Sequence, residues 1–192
     1  MGSDLPVLTT SDLVIRPVEM NDLEACHRLY MDIGWEDKAL TEAQNREARR
    51  RWIEWSVLNV KQLALLKQPP YGDRAVTLKD GRFVGLVGLV PLLAPFRQLP
   101  SLGKIPNARY SPEVGLFWAM SPSEQRKGLA TQAARALIEF ALGTLELSRI
   151  MAGTDRTNIA SIGVMRRLGM HIEENPFADP PWFQVVGSLE PS

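Results

Sequence analysis

The sequence predicts a mixed α/β domain, and three observations carry that prediction. Apolar residues recur at helical spacing in four stretches. Two strand-like runs meet at Asp80-Gly81, the strongest short hairpin signal. In chain order the elements read β-α-α-β-β-β-α-β-α-β, with one further short strand at Met170–Glu173.

Leu8–Arg16 opens the chain as a strand, with Leu13 and Ile15 set against Asp12, Val14 and Arg16. Asn21 to Glu24 has capping-box spacing, in which the Asn side chain and the Glu each satisfy an orphan helix N–H. The helix that follows carries Leu23, Cys26, Leu29, Tyr30 and Ile33 on one stripe and ends at Gly34. Thr41 to Gln44 repeats the signature. It opens a long helix to about Leu66, with Trp52, Trp55 and Leu58 as its apolar face and Pro69-Pro70 as its stop. The hairpin strands are Arg74–Leu78 and Arg82–Pro91. From Pro91 to Pro112 five prolines punctuate a loop-like insertion, and an irregular segment this long is often functional. Glu113–Met120 is a strand, Gly128 to about Leu142 a helix, and Arg149–Gly153 a short strand. Asn158–Leu168 is a helix with Ile159, Ile162, Met165 and Leu168 inward and Gly169 as its left-handed cap. Trp182–Leu189 is the last strand.

A length of 192 residues suits one full-sized domain, or two small ones at most. Apolar content of 45% and charged content of 23% exclude a disordered chain, a coiled coil and a collagen-like chain. Such a domain buries enough surface to need no metal or disulfide. Cys26 is alone, which fits a reducing compartment, and His27 and His171 are too far apart for a zinc motif. Met1–Asp4 lacks the basic and apolar regions of a signal peptide. The longest apolar run, Phe83–Phe96, falls short of the roughly 20 residues of a spanning helix. The expectation is a cytoplasmic protein with no membrane partner. Lys+Arg and Asp+Glu are 22 each, and that zero balance argues against a nucleic-acid partner, which needs a basic face.

The stretch that carries chemistry is Met120-Ser121-Pro122-Ser123-Glu124-Gln125-Arg126-Lys127-Gly128-Leu129-Ala130-Thr131. A strand ends, a short loop follows and a helix begins. The first N–H groups of a helix lack intrahelical partners and sit at the positive end of its dipole, so they form an anion site. Gly128 lets backbone approach a ligand, Ala130 leaves the first turn uncrowded, Arg126 and Lys127 add charge, and Thr131 adds a hydroxyl. A pyrophosphate fits best, although many helix starts carry Gly and Lys with no ligand. Neither a P-loop nor a Gly-x-Gly-x-x-Gly fingerprint is present.

Gln125-x-x-Gly128-x-Ala130 resembles the Gln/Arg-x-x-Gly-x-Gly/Ala acetyl-CoA signature of the GNAT superfamily of N-acetyltransferases. Glu113-Val114-Gly115-Leu116-Phe117-Trp118 looks like the strand before that loop. Asn158-Ile159-Ala160-Ser161-Ile162, Arg167-Leu168-Gly169-Met170 and the Leu13-Val14-Ile15-Arg16-Pro17 start resemble its ribosomal-protein alanine acetyltransferase-like (RimJ/RimL-type) branch. The resemblance covers nearly the whole chain and is weakest from Pro91 to Pro112. It implies the GNAT fold over 1–192 as one domain, with the Pro-rich insertion at about 91–112. That fold is a mixed, mostly antiparallel central sheet of six to seven strands, its fourth and fifth strands splayed, flanked by about four helices.

The resemblance further implies acetyl-CoA as co-substrate, no metal, and direct attack of an amine on the thioester. The pantetheine arm would pair with the backbone of Phe117, Trp118, Ala119 and Met120. The pyrophosphate would rest on Gln125, Arg126, Lys127, Gly128, Leu129, Ala130 and Thr131, and Asn158 would reach the pantetheine amide. Asn158 also suits a helix N-cap. An alkyl ammonium, with a pKa near about 10.4, must lose its proton before it attacks. Glu113 is the candidate base, beside its reading as an ordinary strand-edge carboxylate. The family's tyrosine acid is absent: its position is Met165, and Ser161 is the substitute donor to the leaving sulfur, with Tyr110 as a second candidate.

Plain readings hold for the rest. Trp52 and Trp55 suit core or groove wall, Arg49-Arg50-Arg51 a solvated helix face and Cys26 a small buried hydrophobe. Arg97, Lys104 and Arg109 form an acid-free loop that suits an acceptor with an acidic or neutral body, such as a peptide amino terminus or a small metabolite. The alternative to an enzyme is a catalytically weak acyl-CoA-binding regulatory or protein-interaction module on the same fold. Homodimers are common in the family, and the sequence leaves that state open.

Overall fold

The computed structural model describes residues 6–68 and 70–191. The signal-peptide reading of Met1–Asp4 and the stop at Pro69 lie outside the described residues. The strands are β1 Leu8–Thr9, β2 Leu13–Pro17, β3 Gly72–Leu78, β4 Phe83–Ala94, β5 Ser111–Met120, β6 Ile150–Thr154, β7 His171–Glu174 and β8 Val185–Leu189. The helices are α1 Leu23–Asp32, α2 Glu42–Leu65, α3 Leu129–Glu139, which continues as a π turn over Phe140–Thr144, and α4 Ile159–Leu168. The strands form one eight-stranded sheet in the order β1-β2-β3-β4-β5-β6-β8-β7. The pairs β1–β2, β2–β3, β3–β4, β6–β8 and β7–β8 are antiparallel, and β5 and β6 run parallel.

The chain divides into two compact units. The first holds the residues up to Leu89 together with Trp118–Leu137; the second holds Val90–Phe117 and the residues from Ile138 onward.

In the first unit the expected opening strand is two strands. Thr10-Ser11-Asp12 are turn formers, Thr10 N–H donates to Leu13 O at 3.0 Å, and Leu8 folds back opposite Ile15. This extra strand raises the count from the expected six or seven to eight. The first capping box also shifts. Glu19 and Asp22 make it in place of Asn21 and Glu24, because Arg16 clamps Asp22 through two bonds of 2.7 Å and Glu24 turns to Arg46. The second box forms as expected, with Gln44 N–H donating to the Thr41 hydroxyl. The buried line of α2 differs from the expected Trp52, Trp55 and Leu58: it is Ile53, Ser56 and Asn59, with Trp55 and Leu58 exposed. The cause is a close approach to β3, where a Cβ on Gly72 would stand 2.9 Å from Ser56 Oγ, leaving no room for an indole. The β3–β4 hairpin turns through Gly81 at φ +89°, as the Asp-Gly pair predicts.

In the second unit much of the Pro-rich stretch is ordered secondary structure. β4 continues through Pro91 to Ala94, beyond the end of its pairing with β3 at Leu89. Two 3₁₀ turns follow, Phe96–Gln98 and Pro100–Leu102. Ala94, Phe96 and Leu99 pack with Met151, Phe183 and Val186 into a buried cluster. β5 and β6 pair at Gly115↔Met151, the one register pair between them among the described residues, which matches the expected splay. β1 moves this pair from fourth and fifth to fifth and sixth. On α4, Met165 and Leu168 are buried as expected, whereas Ile159 is 67% exposed at the first turn.

Candidate active site

In the first unit, β5 leads into a 3₁₀ turn, Pro122–Glu124, and then into α3. Gln125 Nε2 donates to Met120 O at 3.1 Å and so ties the loop to the strand end. Arg126 and Gly128 both take left-handed backbone, at φ +62° and +80°. That region is cheap for glycine and strained for arginine. A Cβ on Gly128 would meet nothing within 4 Å, so the loop is open above it. Gln132 N–H donates to Gly128 O, and the N–H groups before it belong to the free first turn of α3. Thr131 Oγ1 is buried with no hydrogen-bond partner. The open backbone, the helix start and the orphaned hydroxyl fit an anionic group carrying several acceptor oxygens. Lys127 contributes less charge than the sequence suggests. Its Nζ bonds Glu124 at 3.0 Å, and Glu124, also held by Arg82 at 2.7 Å, is drawn below the usual carboxylate range chiefly by Arg82 and then by Lys127.

The first unit also holds a polar cluster that the sequence reading left out. Asp73, at the start of β3, is 2% exposed, and neither of its carboxylate oxygens has a hydrogen-bond partner. Burial pushes it up to about 6; the Trp52 indole N–H and then the Arg49 charge oppose that rise. Arg49 leaves the solvated face assigned to the Arg49–Arg51 run and lies 3.1 Å above the Tyr30 ring centroid. Arg50 and Arg51 do pair on the surface with Glu47. Trp52 and Trp55 stack at 4.8 Å. Cys26 is fully buried, its thiol pushed up to about 12 by burial, which suits a packing role. The signal that could have found this cluster is the charged Asp73-Arg74 pair at the start of a buried strand.

In the second unit, Glu113 Oε1 accepts from Arg149 Nη2, and Arg149 also reaches Glu190 at 3.4 Å. Glu113 is therefore already engaged on one oxygen. Asn158 caps α4: its Oδ1 accepts from Ser161 N–H at 3.0 Å. Asn158 is exposed and Ser161 half-buried. Met165 is fully buried, and its sulfur would stand 3.2 Å from a Cβ on Gly187, so it is core. Tyr110 is 51% exposed. Among the described residues no group of three or more His, Cys, Asp or Glu could hold a metal ion, and no helix is long and apolar enough to cross a membrane.

An open, mostly antiparallel sheet with a parallel splayed pair and an anion-ready loop after the first splayed strand defines a class of group-transfer enzymes. The profile of the Acetyltransferase (GNAT) domain matches residues 12–171, and the chain belongs to that family of acyltransferases. Among its relatives, the probable N-acetyltransferase YjcK of Bacillus subtilis is 25% identical over 96% of this chain and 98% of that protein. The spermidine N(1)-acetyltransferase of Escherichia coli is 27% identical over 83% of this chain and 73% of that one. An uncharacterized N-acetyltransferase of Bacillus subtilis, YnaD, is 39% identical, but the match spans 32% of this chain and 35% of its own length. Among solved structures, an acetyltransferase from Agrobacterium tumefaciens superposes with a TM-score of 0.66 at 20% identity, covering 98% and 96% of the two chains. RimL, a ribosomal-protein α-N-acetyltransferase solved with coenzyme A, gives 0.62 at 13%, covering 95% and 96%. At these identities the structural likeness is one of fold.

Proposed function

We propose that the chain transfers the acetyl group of acetyl-CoA to a primary amine, a peptide amino terminus or a small-molecule amine, by direct attack in a ternary complex. The observation that carries this is the loop before α3: left-handed Arg126 and Gly128, open space over Gly128, and the partnerless Thr131 hydroxyl. In this reading Gln125, Arg126, Lys127, Gly128, Leu129, Ala130 and Thr131 hold the pyrophosphate through backbone N–H groups, and Thr131 Oγ1 adds a donor. The backbone of Phe117, Trp118, Ala119 and Met120 pairs with the pantetheine arm. Asn158 offers Nδ2 to it while Oδ1 keeps the helix cap. Acetyl-CoA supplies the electrophilic thioester.

Glu113 takes the amine's proton through a water on Oε2, the oxygen that Arg149 leaves free. A backbone N–H of β5 near Trp118–Met120 meets the developing oxyanion. Ser161 hydrogen-bonds the departing thiolate in the place where the family's tyrosine is replaced by buried Met165. A single buried thiol, Cys26, suits a cytoplasmic setting. The test is release of CoA thiol across a panel of peptides and small amines. Turnover with at least one amine is expected. Tight acetyl-CoA binding with no thiol release above background would refute transfer and favour the regulatory module, a reading that the loss of the tyrosine supports.

A further inference from the structure

The loop before α3 is held at both ends within the first unit. Ahead of Arg126 and Gly128, buried Glu124 is paired with Arg82 and Lys127. Beyond them, in the first turn of α3, Gln132 reaches across to the turn between β1 and β2. Its Nε2 donates to Ser11 Oγ at 3.0 Å and to Asp12 Oδ2 at 2.7 Å, and its Oε1 accepts from the Thr10 hydroxyl and from Asp12 N–H at 3.3 Å. A side-chain amide has two donors and two acceptor lone pairs, so each of them is used. The amide fits only one way round, because Asp12 N–H must donate and the Asp12 carboxylate must accept. That carboxylate is drawn below its ordinary range, first by Gln132 and then by Ser11. The apolar packing of the same part of α3 is thin. Its first two turns bury Leu129, Ala133 and Ala134, and alanine offers little surface with which to fix a helix about its axis.

We propose that Gln132, gripping Thr10, Ser11 and Asp12, is a positioning residue that sets the first turn of α3 for the pyrophosphate of acetyl-CoA; the inference rests on the acetyl-CoA reading of that loop. A site made of backbone N–H groups has no side chain that can readjust to its ligand. Its donors converge only if the helix start is placed correctly beforehand, so affinity follows that placement. Gln132 N–H donates to Gly128 O at 3.0 Å, so the residue that grips the β1–β2 turn also ends the run of free N–H groups. Thr131, whose hydroxyl has no partner, directly precedes it. The side-chain bonds of Gln132 all go to the protein, so it governs the binding of acetyl-CoA and leaves the chemical step alone. The Glu124 pairs still hold the other end of the loop when this grip is lost, so the effect is partial.

The experiment uses the full chain as wild type, Gln132→Met, Gln132→Glu, Asp12→Asn and the double variant carrying both Asp12→Asn and Gln132→Glu. Calorimetric titration gives the affinity for acetyl-CoA. Thiol release gives KM and kcat with acetyl-CoA and with S-acetylpantetheine, which has the thioester and no pyrophosphate. Gln132→Met keeps the side-chain length and removes its hydrogen bonds. It should weaken acetyl-CoA binding about tenfold, with kcat and the kcat/KM for S-acetylpantetheine within about twofold of the wild type. A general loosening of the fold would lower both donors' kcat/KM alike. Gln132→Glu sets a second carboxylate against Asp12 and should weaken acetyl-CoA binding about 30-fold. Asp12→Asn alone still offers an oxygen to Gln132 Nε2 and should stay within about threefold. In the double variant the new amide donates to the new carboxylate, and affinity should return to within about threefold of the wild type. A charge at position 132 that merely repelled the cofactor would persist in the double variant. No recovery there would therefore overturn the proposal, as would unchanged affinity in Gln132→Met or an equal loss with S-acetylpantetheine. A wild type that does not bind acetyl-CoA would remove the loop reading and the proposal with it. The expected order of affinities, with no thiol release from any amine, would keep the positioning role and remove acetyl transfer instead.

Discussion

Glu113 in the second unit and Asp73 in the first are both carboxylates withdrawn from solvent, and the fold treats them in opposite ways. Glu113, 16% exposed at its side chain, is gripped by Arg149, which also reaches Glu190. Asp73, 2% exposed, has Arg49 as its electrostatic neighbour, yet that guanidinium is turned onto Tyr30 and forms no ion pair with it. A gripped carboxylate lets the protein hold its position and direct its free oxygen. An ungripped one in the interior is a standing cost to the fold. The difference separates a carboxylate held by a cation, the one proposed as the proton acceptor, from a carboxylate left without one, and each can be tested separately.

The largest effect is expected from Glu113→Gln. Losing a positioned proton acceptor should lower kcat about 100-fold, within the usual range for general-base catalysis. The amide can still accept from Arg149, so stability in urea should fall by only about 1 kcal/mol. A fall in stability with kcat unchanged would make Glu113 a strut for Arg149 and return the deprotonation to solvent.

Asp73→Asn should act in the other direction on stability. The folded carboxyl titrates near 6 against an ordinary value of 3.8, so between those values the folded state holds its proton more tightly than the unfolded chain. Stability contributed by this group therefore falls as pH rises from about 4 to about 6 and stays low above that. The groups facing it are Cys26 and Tyr30 of α1 and Arg49 of α2, with the Trp52 indole beside them. That rise from 3.8 to about 6 caps the cost at roughly 3 kcal/mol, and an amide in the same place lacks some partners too, leaving a gain of about 2 kcal/mol at pH 7. Urea denaturation at pH 7 and pH 4 checks this. A gain at pH 7 that shrinks toward zero at pH 4 sustains the unpaired carboxylate; a loss at pH 7 would mean that Asp73 is paired inside the fold.

The same contrast explains what could be read from the sequence. The β3–β4 hairpin, the Thr41 cap, the Gly169 cap and the loop before α3 were legible because each depends on neighbours within a few residues. Asn158 was legible as a cap for the same reason, and buried Met165 marked the missing tyrosine. The packed face of α2 was not, because the close approach of Ser56 to Gly72, 16 positions apart, decides it. Neither was the Asp73 neighbourhood, which is assembled from α1, α2 and β3 and depends on where Arg49 turns its guanidinium. The grip of Arg149 on Glu113 joins positions 36 apart and was equally hidden.

The smallest effect is expected at Ser161. Its backbone N–H, which the Asn158 cap uses, survives replacement by alanine, so Ser161→Ala should leave stability within about 0.5 kcal/mol of the wild type. The hydroxyl is a weak acid, and a thiol with an ordinary pKa of about 8.5 leaves as the thiolate without full protonation. One hydrogen bond to that anionic sulfur corresponds to about 1.5 kcal/mol, so kcat should fall about tenfold while acetyl-CoA affinity holds. Thiol release measured from pH 6 to pH 9 checks this. If the hydroxyl only bonds the thiolate, the deficit is the same at every pH; a deficit that grows toward pH 9 would make Ser161 part of a proton path, and none at any pH would remove it from the reaction.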